Sequence, residues 1–154
     1  MLHPASAHFA IVLPAVALVF GLLYLVKPSE MMSKISTRLM VFALIFMGVA
    51  WYFGTQDGPD VFTDLSEEGQ ALLKTHKSYA PYLFFTLLAA TAIKFFGCMK
   101  QKFAAEAAGV AILLLVVGGT FYQGSLGGKL VYEHSAHVNY EPKCQEMAEL
   151  GLLE

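Results

Sequence analysis

Charged residues are scarce in this chain of 154 residues and make up only 14% of it. In soluble domains roughly a quarter of all residues are charged. With 56% hydrophobic residues, a soluble core would leave large apolar areas facing water, which excludes a soluble protein. The two cysteines, Cys98 and Cys144, form no Cys-x-x-Cys pair, so neither a covalent c-type haem nor a thiolate zinc site is supported. No basic aromatic patch is present, and nucleic acid is not an expected partner.

Long hydrophobic runs take the place of the missing charges. The first stretch, MLHPASAHFAIVLPAVALVFGLLYLV, ends in about 18 residues without a charge, which indicates a membrane-spanning helix. It lacks a positive n-region and exceeds the h-region of a signal peptide, so we expect it to be retained. The length predicts one domain with four spans. The predicted spans are 5–26, 39–54, 79–97 and 104–126, in a four-span domain at 1–138 that a polar tail at 139–154 follows.

The connections predict both the fold class and the orientation. Four spans with short connections predict an all-α, up-down-up-down four-helix bundle. The first connection, Lys27–Arg38, is basic, the third carries Lys94, Lys100 and Lys102, and the second, at 55–78, is acidic. By the positive-inside rule the basic connections are cytoplasmic, so we expect both termini on the outer, periplasmic side of a bacterial inner membrane. Within the acidic connection, a capping-box pattern at 64–67 predicts the start of a helix.

This orientation brings all five histidines to the outer end: His3, His8, His76, His134 and His137. Imidazole is the commonest metal ligand and also an axial ligand of haem iron. His3 and His8 lie about 140° apart around a helix, so they do not both face one small ion. Spans one and three are expected to be diagonal in the bundle, which leaves a gap for a porphyrin beside the glycines of span four.

Plainer interpretations of these residues stay open. Each histidine can be an interfacial residue or a helix cap, and for His137, which lies in the tail, this interpretation is preferred. Asp57 is a candidate hydrogen-bond partner for a histidine ring nitrogen, or equally a residue that caps a helix or solvates a loop. Apart from Lys94 we find no ionisable residue well inside a span, so transport is not expected.

The opening M-L-H-P-A-S-A-H-F-A-I-V-L resembles the M-H-P-x-x-V-H-F-P-I-A-L opening of the small four-span membrane proteins known as domain of unknown function 2231. The stretch Gly127–Val138, G-G-K-L-V-Y-E-H-S-A-H-V, is similar to that family's G-G-x-L-V-Y-x-H-G-V-G-V close. Between them, Gly54–Asp57 and Leu73–His76 resemble a Gly-x-x-Asp and a Leu-x-x-His-like motif. The resemblance implies a redox function, because some relatives are fused to Rieske iron–sulfur or c-type cytochrome domains.

Carried over residue by residue, the resemblance implies cofactor-binding roles for His3, His8, His76 and His134, with Asp57 as an acidic companion. The favoured hypothesis is a b-type cytochrome-like electron-transfer protein with one or two haem b groups, and not an enzyme with its own substrate. His8 and His76 are the preferred pair of iron ligands, and His3 with His134 the pair for a second haem.

The expected partners are membrane lipids and a periplasmic electron carrier, a quinone or subunits of a respiratory complex. Whether copies of the chain associate into a homo-oligomer is left open. Two alternatives remain: a structural or accessory subunit without a cofactor, and a non-haem copper or zinc site formed by three histidines and Asp57.

Overall fold

Four long α-helices form the regular structure of the protein in a computed structural model. They are α1 (Leu2–Val26), α2 (Glu30–Phe62), α3 (Glu67–Lys100) and α4 (Phe103–Tyr132). The structure describes the backbone of residues 2–134 and the side chains of residues 5–134, and this part contains no strand. The all-α prediction is confirmed. The predictions on the His3 side chain, on His137 and Cys144, and on the tail at 139–154 lie outside the described residues.

Each of the four helices is long and apolar enough to cross a membrane. Large hydrophobic side chains such as Tyr82, Phe85 and Leu115 are exposed on the outside of the bundle. In water such a surface is unfavourable, whereas lipid solvates it, provided that the backbone groups are paired within helices. The multi-pass membrane prediction is therefore confirmed.

The helices extend beyond the predicted spans, because hydropathy marks the lipid-facing part and capping decides the ends. The span predicted at 39–54 lies inside α2, which begins after Ser29 and continues to Phe62. The Ser29 hydroxyl accepts a hydrogen bond from the backbone N–H of Met32 at 3.2 Å. The helix predicted near 64–67 is present as α3, but its N-cap is Ser66, whose hydroxyl accepts from the Gly69 N–H at 3.2 Å.

The helices pack as a square. α1 packs on α2 and α4, and α3 packs on the same two helices, so α1 and α3 stand opposite each other. The largest buried cluster fills the middle of the bundle with small and branched side chains, among them Ala17, Met40, Leu87 and Leu113. Opposite helices are therefore separated by side chains of their neighbours or by open space.

Two glycines bring α3 and α4 into close contact. A Cβ on Gly97 would lie 2.7 Å from the backbone nitrogen of Glu106, and one on Gly109 would lie 2.7 Å from the Cβ of Lys94. The connection between the helices is short, and Gln101 ends α3 in the left-handed conformation with a φ of 50°. Small residues at such contacts allow helix backbones to approach closely.

Candidate functional site

A cavity of about 500 Å³ lies among the four helices. Its lining comes from residues near the starts of α1 and α3 and near the ends of α2 and α4. His8, Asp57 and His76 all line it, together with Gln123 of α4. Pockets for small molecules and cofactors have volumes of about 300–1,000 Å³. The structure thus brings three of the predicted site residues to one cavity of suitable size.

The two cavity histidines come from helices that stand opposite each other. His8 is on α1 and is exposed, while His76 is on α3 and is half-buried. Asp57, on α2, is also half-buried. Most of the remaining wall is apolar and includes Ala10, Ile11, Met47, Ala50, Trp51, Val61, Leu73 and Leu83. The site is therefore an apolar pocket with a few polar groups.

Glycines of α4 keep space open beside His76. A Cβ on Gly127 would lie 3.4 Å from Cε1 of His76, and one on Gly124 would lie 3.1 Å from Cδ1 of Ile11. A Cβ on Gly128 would meet no heavy atom within 4 Å. Because all three glycines line the cavity, larger side chains at these positions would fill it.

Gln123 ties α4 to α3 at the cavity histidine. Its Nε2 donates a hydrogen bond to the backbone carbonyl of His76 at 2.7 Å. Because a carbonyl only accepts, the amide nitrogen must face it, and this fixes the orientation of the side chain. The other amide atom, Oε1, is buried and has no hydrogen-bond partner among the described residues. The sequence-based prediction missed Gln123, whose one signal was a side-chain amide inside a mostly apolar span.

Three helix prolines each leave a backbone carbonyl without its regular hydrogen-bond donor, in residues of the same region. Pro14, Pro59 and Pro81 lie inside α1, α2 and α3. A proline has no N–H, so the carbonyl four residues earlier loses its regular helical donor. Those carbonyls belong to Ala10, Thr55 and Lys77, and all three residues line the cavity. Freed carbonyls at membrane depth occur where other groups or cavity water can re-satisfy them.

His134 lies away from the cavity lining. Its Nδ1 is 3.4 Å from the hydroxyl of Ser66, and a Cβ on Gly69 would lie 3.1 Å from its Cγ. Its pairing with His3 stays a prediction, since the His3 side chain is outside the described residues. Among the side chains that the structure describes, those of residues 5–134, no group of three His, Cys, Asp or Glu is placed to hold a metal ion.

A second polar cluster lies at the other ends of the helices. The Lys94 ammonium donates to Oε2 of Glu106 at 2.7 Å, and the Ser33 hydroxyl donates to the same oxygen at 2.5 Å. The Lys94 ammonium also lies 5.2 Å from the centroid of the Tyr24 ring. We call these four residues, one from each helix, the ion-pair cluster.

The ion-pair cluster corrects two sequence-based expectations. Lys94 does not belong to the basic third connection, because its side chain is fully buried against Glu106. Glu106 is an ionisable residue within the predicted fourth span, and only 2% of its side chain is exposed. A lone charge in each of two apolar spans, of opposite sign and on either side of a short connection, was the signal that could have found the pair.

Four membrane-crossing helices around a partly polar cavity define a multi-pass membrane protein of the four-helix type. The family model described as predicted membrane protein, domain of unknown function 2231, matches residues 1–140. The chain belongs to this family, as the two terminal motifs predicted. The family's description assigns no activity. No curated protein and no solved structure matches the chain.

Proposed function

We propose that this protein is a membrane-bound electron-transfer protein that holds one haem b between His8 and His76. The observation that carries this proposal is that two imidazoles from opposite helices line one apolar cavity. Two neutral imidazoles are an established axial ligand type for haem iron, and an apolar surround limits access of water.

The volume of the cavity agrees with a cofactor-sized ligand. Glycines on α4 leave space beside the His76 ring, and a volume of about 500 Å³ is open in the side-chain packing. When bound, the haem would supply one-electron transfer. The chain would contribute ligation by His8 and His76, while the Gln123 amide holds the backbone of α3 at His76.

The donor set favours haem over copper or zinc. A tetrahedral or five-coordinate metal ion takes three or more protein ligands. Among the side chains of residues 5–134, no three such groups lie together for that purpose. Two imidazoles from opposite helices are instead the number of protein ligands that a planar macrocycle needs, since the macrocycle supplies the other four.

We further propose the up-and-down helix order and an outward-facing cavity. The lining supports this order, because it combines the starts of α1 and α3 with the ends of α2 and α4. The basic residues Lys27, Lys34, Lys100 and Lys102 lie at the other ends of the helices. By the positive-inside rule the cavity then faces the periplasm of a bacterial inner membrane, where a quinone or a periplasmic carrier can exchange electrons.

Haem content measured on purified variants tests the proposal. The proposal predicts about one haem per chain in the wild type and a loss of most of it in both H8A and H76A. H134A is the matched control, because His134 does not line the cavity, and it should keep its haem. Equal haem content in all four proteins would overturn the ligand assignment. No haem in a well-folded wild type expressed with ample haem would favour an accessory subunit without a cofactor.

A further inference from the structure

The side chain of Lys77 crosses from α3 to α2 at the wall of the cavity. Lys77 lines the cavity and directly follows His76 in the chain. A Cβ on Gly58 of α2 would lie 2.9 Å from Nζ of Lys77 and 3.4 Å from its Cδ and Cε. The lysine stem therefore lies against the bare backbone of Gly58, and this glycine leaves the room for it.

The Lys77 ammonium has no protein partner in the described part of the chain. The ion pairs formed there are Lys34–Glu30 and Lys94–Glu106. Asp57 lines the same cavity, but neither of these two ion pairs includes it. Lys77 thus differs from Lys94, which is buried and paired with a carboxylate.

Lys77 is half-buried beside an apolar wall, where water screens a charge less than on an open surface, so its ammonium retains a strong attraction for an anion. We propose that Lys77 is the oxyanion-binding residue of the cavity. It holds either a carboxylate of the bound molecule or the phosphate of a lipid headgroup that reaches the cavity. The carboxylate source rests on the proposed function, since haem b carries two propionates.

The simpler alternative is a lysine that extends to the water interface and binds nothing in particular. Such a lysine needs no opening in a neighbouring helix. The close approach to Gly58 distinguishes the oxyanion-binding lysine from the interfacial one. An added methyl group at Gly58 would displace the ammonium without removing its charge.

The carboxylate source is tested by titrating the haem-free protein with haemin and with haemin dimethyl ester, which lacks the two carboxylates. The wild type is expected to bind haemin about tenfold more tightly than the ester. This is the affinity ratio that one charge-assisted hydrogen bond produces. K77M should bind the two within about twofold, K77R should keep the preference, and G58A should reduce it. K74M is the matched control, because Lys74 is exposed, lies 5.3 Å from the Phe62 ring and does not line the cavity.

The lipid source is tested with the same variants in nanodiscs of phosphatidylglycerol or phosphatidylcholine. If the anion is a headgroup phosphate, the wild type and K74M should melt at a higher temperature in the anionic lipid, and K77M should lose that gain. A wild type that binds haemin more tightly than its dimethyl ester supports the carboxylate source. A wild type that melts at a higher temperature in phosphatidylglycerol than in phosphatidylcholine supports the phosphate source. If K77M matches K74M in both experiments, the inference is overturned. Haem binding that K77M leaves unchanged would overturn the carboxylate source alone and leave the proposed function intact.

Discussion

The ammonium of Lys94 lies 2.7 Å from Oε2 of Glu106, and the two side chains are 0% and 2% exposed. The same oxygen accepts the hydroxyl of Ser33, and the Tyr24 ring lies beside the ammonium. Desolvating two charges is costly, and removing one partner leaves the other buried without compensation. The ion-pair cluster therefore fixes how the four helices meet at the ends away from the cavity.

Removing either charge of this pair should strongly destabilise the protein. K94M and E106L should each lower the free energy of unfolding by about 3–5 kcal/mol, since each leaves an unpaired buried charge. Denaturant titration of the detergent-solubilised variants measures the loss.

The double variant K94M/E106L tests whether the loss in the single variants comes from the charge that is left unpaired. With both charges gone, most of the stability should return, because well-packed apolar side chains can replace a buried ion pair. K34M, which breaks the exposed pair of Lys34 with Glu30, should leave unfolding unchanged. A double variant as unstable as the sum of the single ones would show no energetic coupling between the two side chains and would contradict the account of the pair.

The close contact between α3 and α4 gives a second prediction. In G109A the new methyl group would lie 2.7 Å from the Cβ of Lys94 and 3.0 Å from its backbone nitrogen, so one helix must shift. We expect a loss of about 1–3 kcal/mol in the same unfolding experiment. G118A is the control, since a Cβ there would meet nothing within 4 Å. Equal stability of the two variants would contradict the close helix contact.

Gln123 is a positioning residue for His76, and its replacement tests this role. Q123L removes the hydrogen bond to the His76 carbonyl and leaves the imidazole in place. A lost hydrogen bond of this kind is worth about 1 kcal/mol, so haem affinity should fall by about fivefold. A shift of the α and β bands in the reduced spectrum should accompany the weaker binding.

The control for Q123L is S125A, because the Ser125 hydroxyl bonds only to the Tyr122 carbonyl of its own helix turn. Its affinity and its spectrum should match the wild type. If Q123L also matched the wild type in both, Gln123 would have no influence on His76.

Filling the cavity from α4 gives the fourth prediction. G127L places a large side chain in the space beside the His76 ring. It should abolish haem binding while the helix content by circular dichroism stays unchanged. G118L adds the same side chain at an exposed position of the same helix and should bind haem normally. Normal haem binding by G127L would show that the ligand does not occupy this cavity.

The spans and part of the site could be predicted from the sequence because lipid imposes a strong constraint on composition. Long uncharged runs must form helices, and short connections must join neighbours. That reasoning brought the histidines to one end of the bundle, and His8 and His76 were then paired from among the histidines that the family resemblance matched. The structure places both on one cavity. Asp57, predicted as a candidate hydrogen-bond partner of a histidine, lines the same cavity.

The remaining features depend on contacts between helices, which composition does not record. Gly58 and Pro59 were expected in the acidic connection, yet α2 continues through them to Phe62. Pro59 removes one regular hydrogen bond of that helix. Glu106 was overlooked as an ionisable residue inside a span, and its pairing with Lys94 is a contact between two helices. Lys77 gains its place in the cavity wall only because a glycine faces it on another helix.

The absorption spectrum of the purified protein, oxidised and then reduced with dithionite, tests the central claim most directly. Ligation by His8 and His76 predicts a Soret band and, on reduction, the sharp α and β bands of six-coordinate haem b. A flat visible spectrum in folded protein expressed with ample haem would contradict the account.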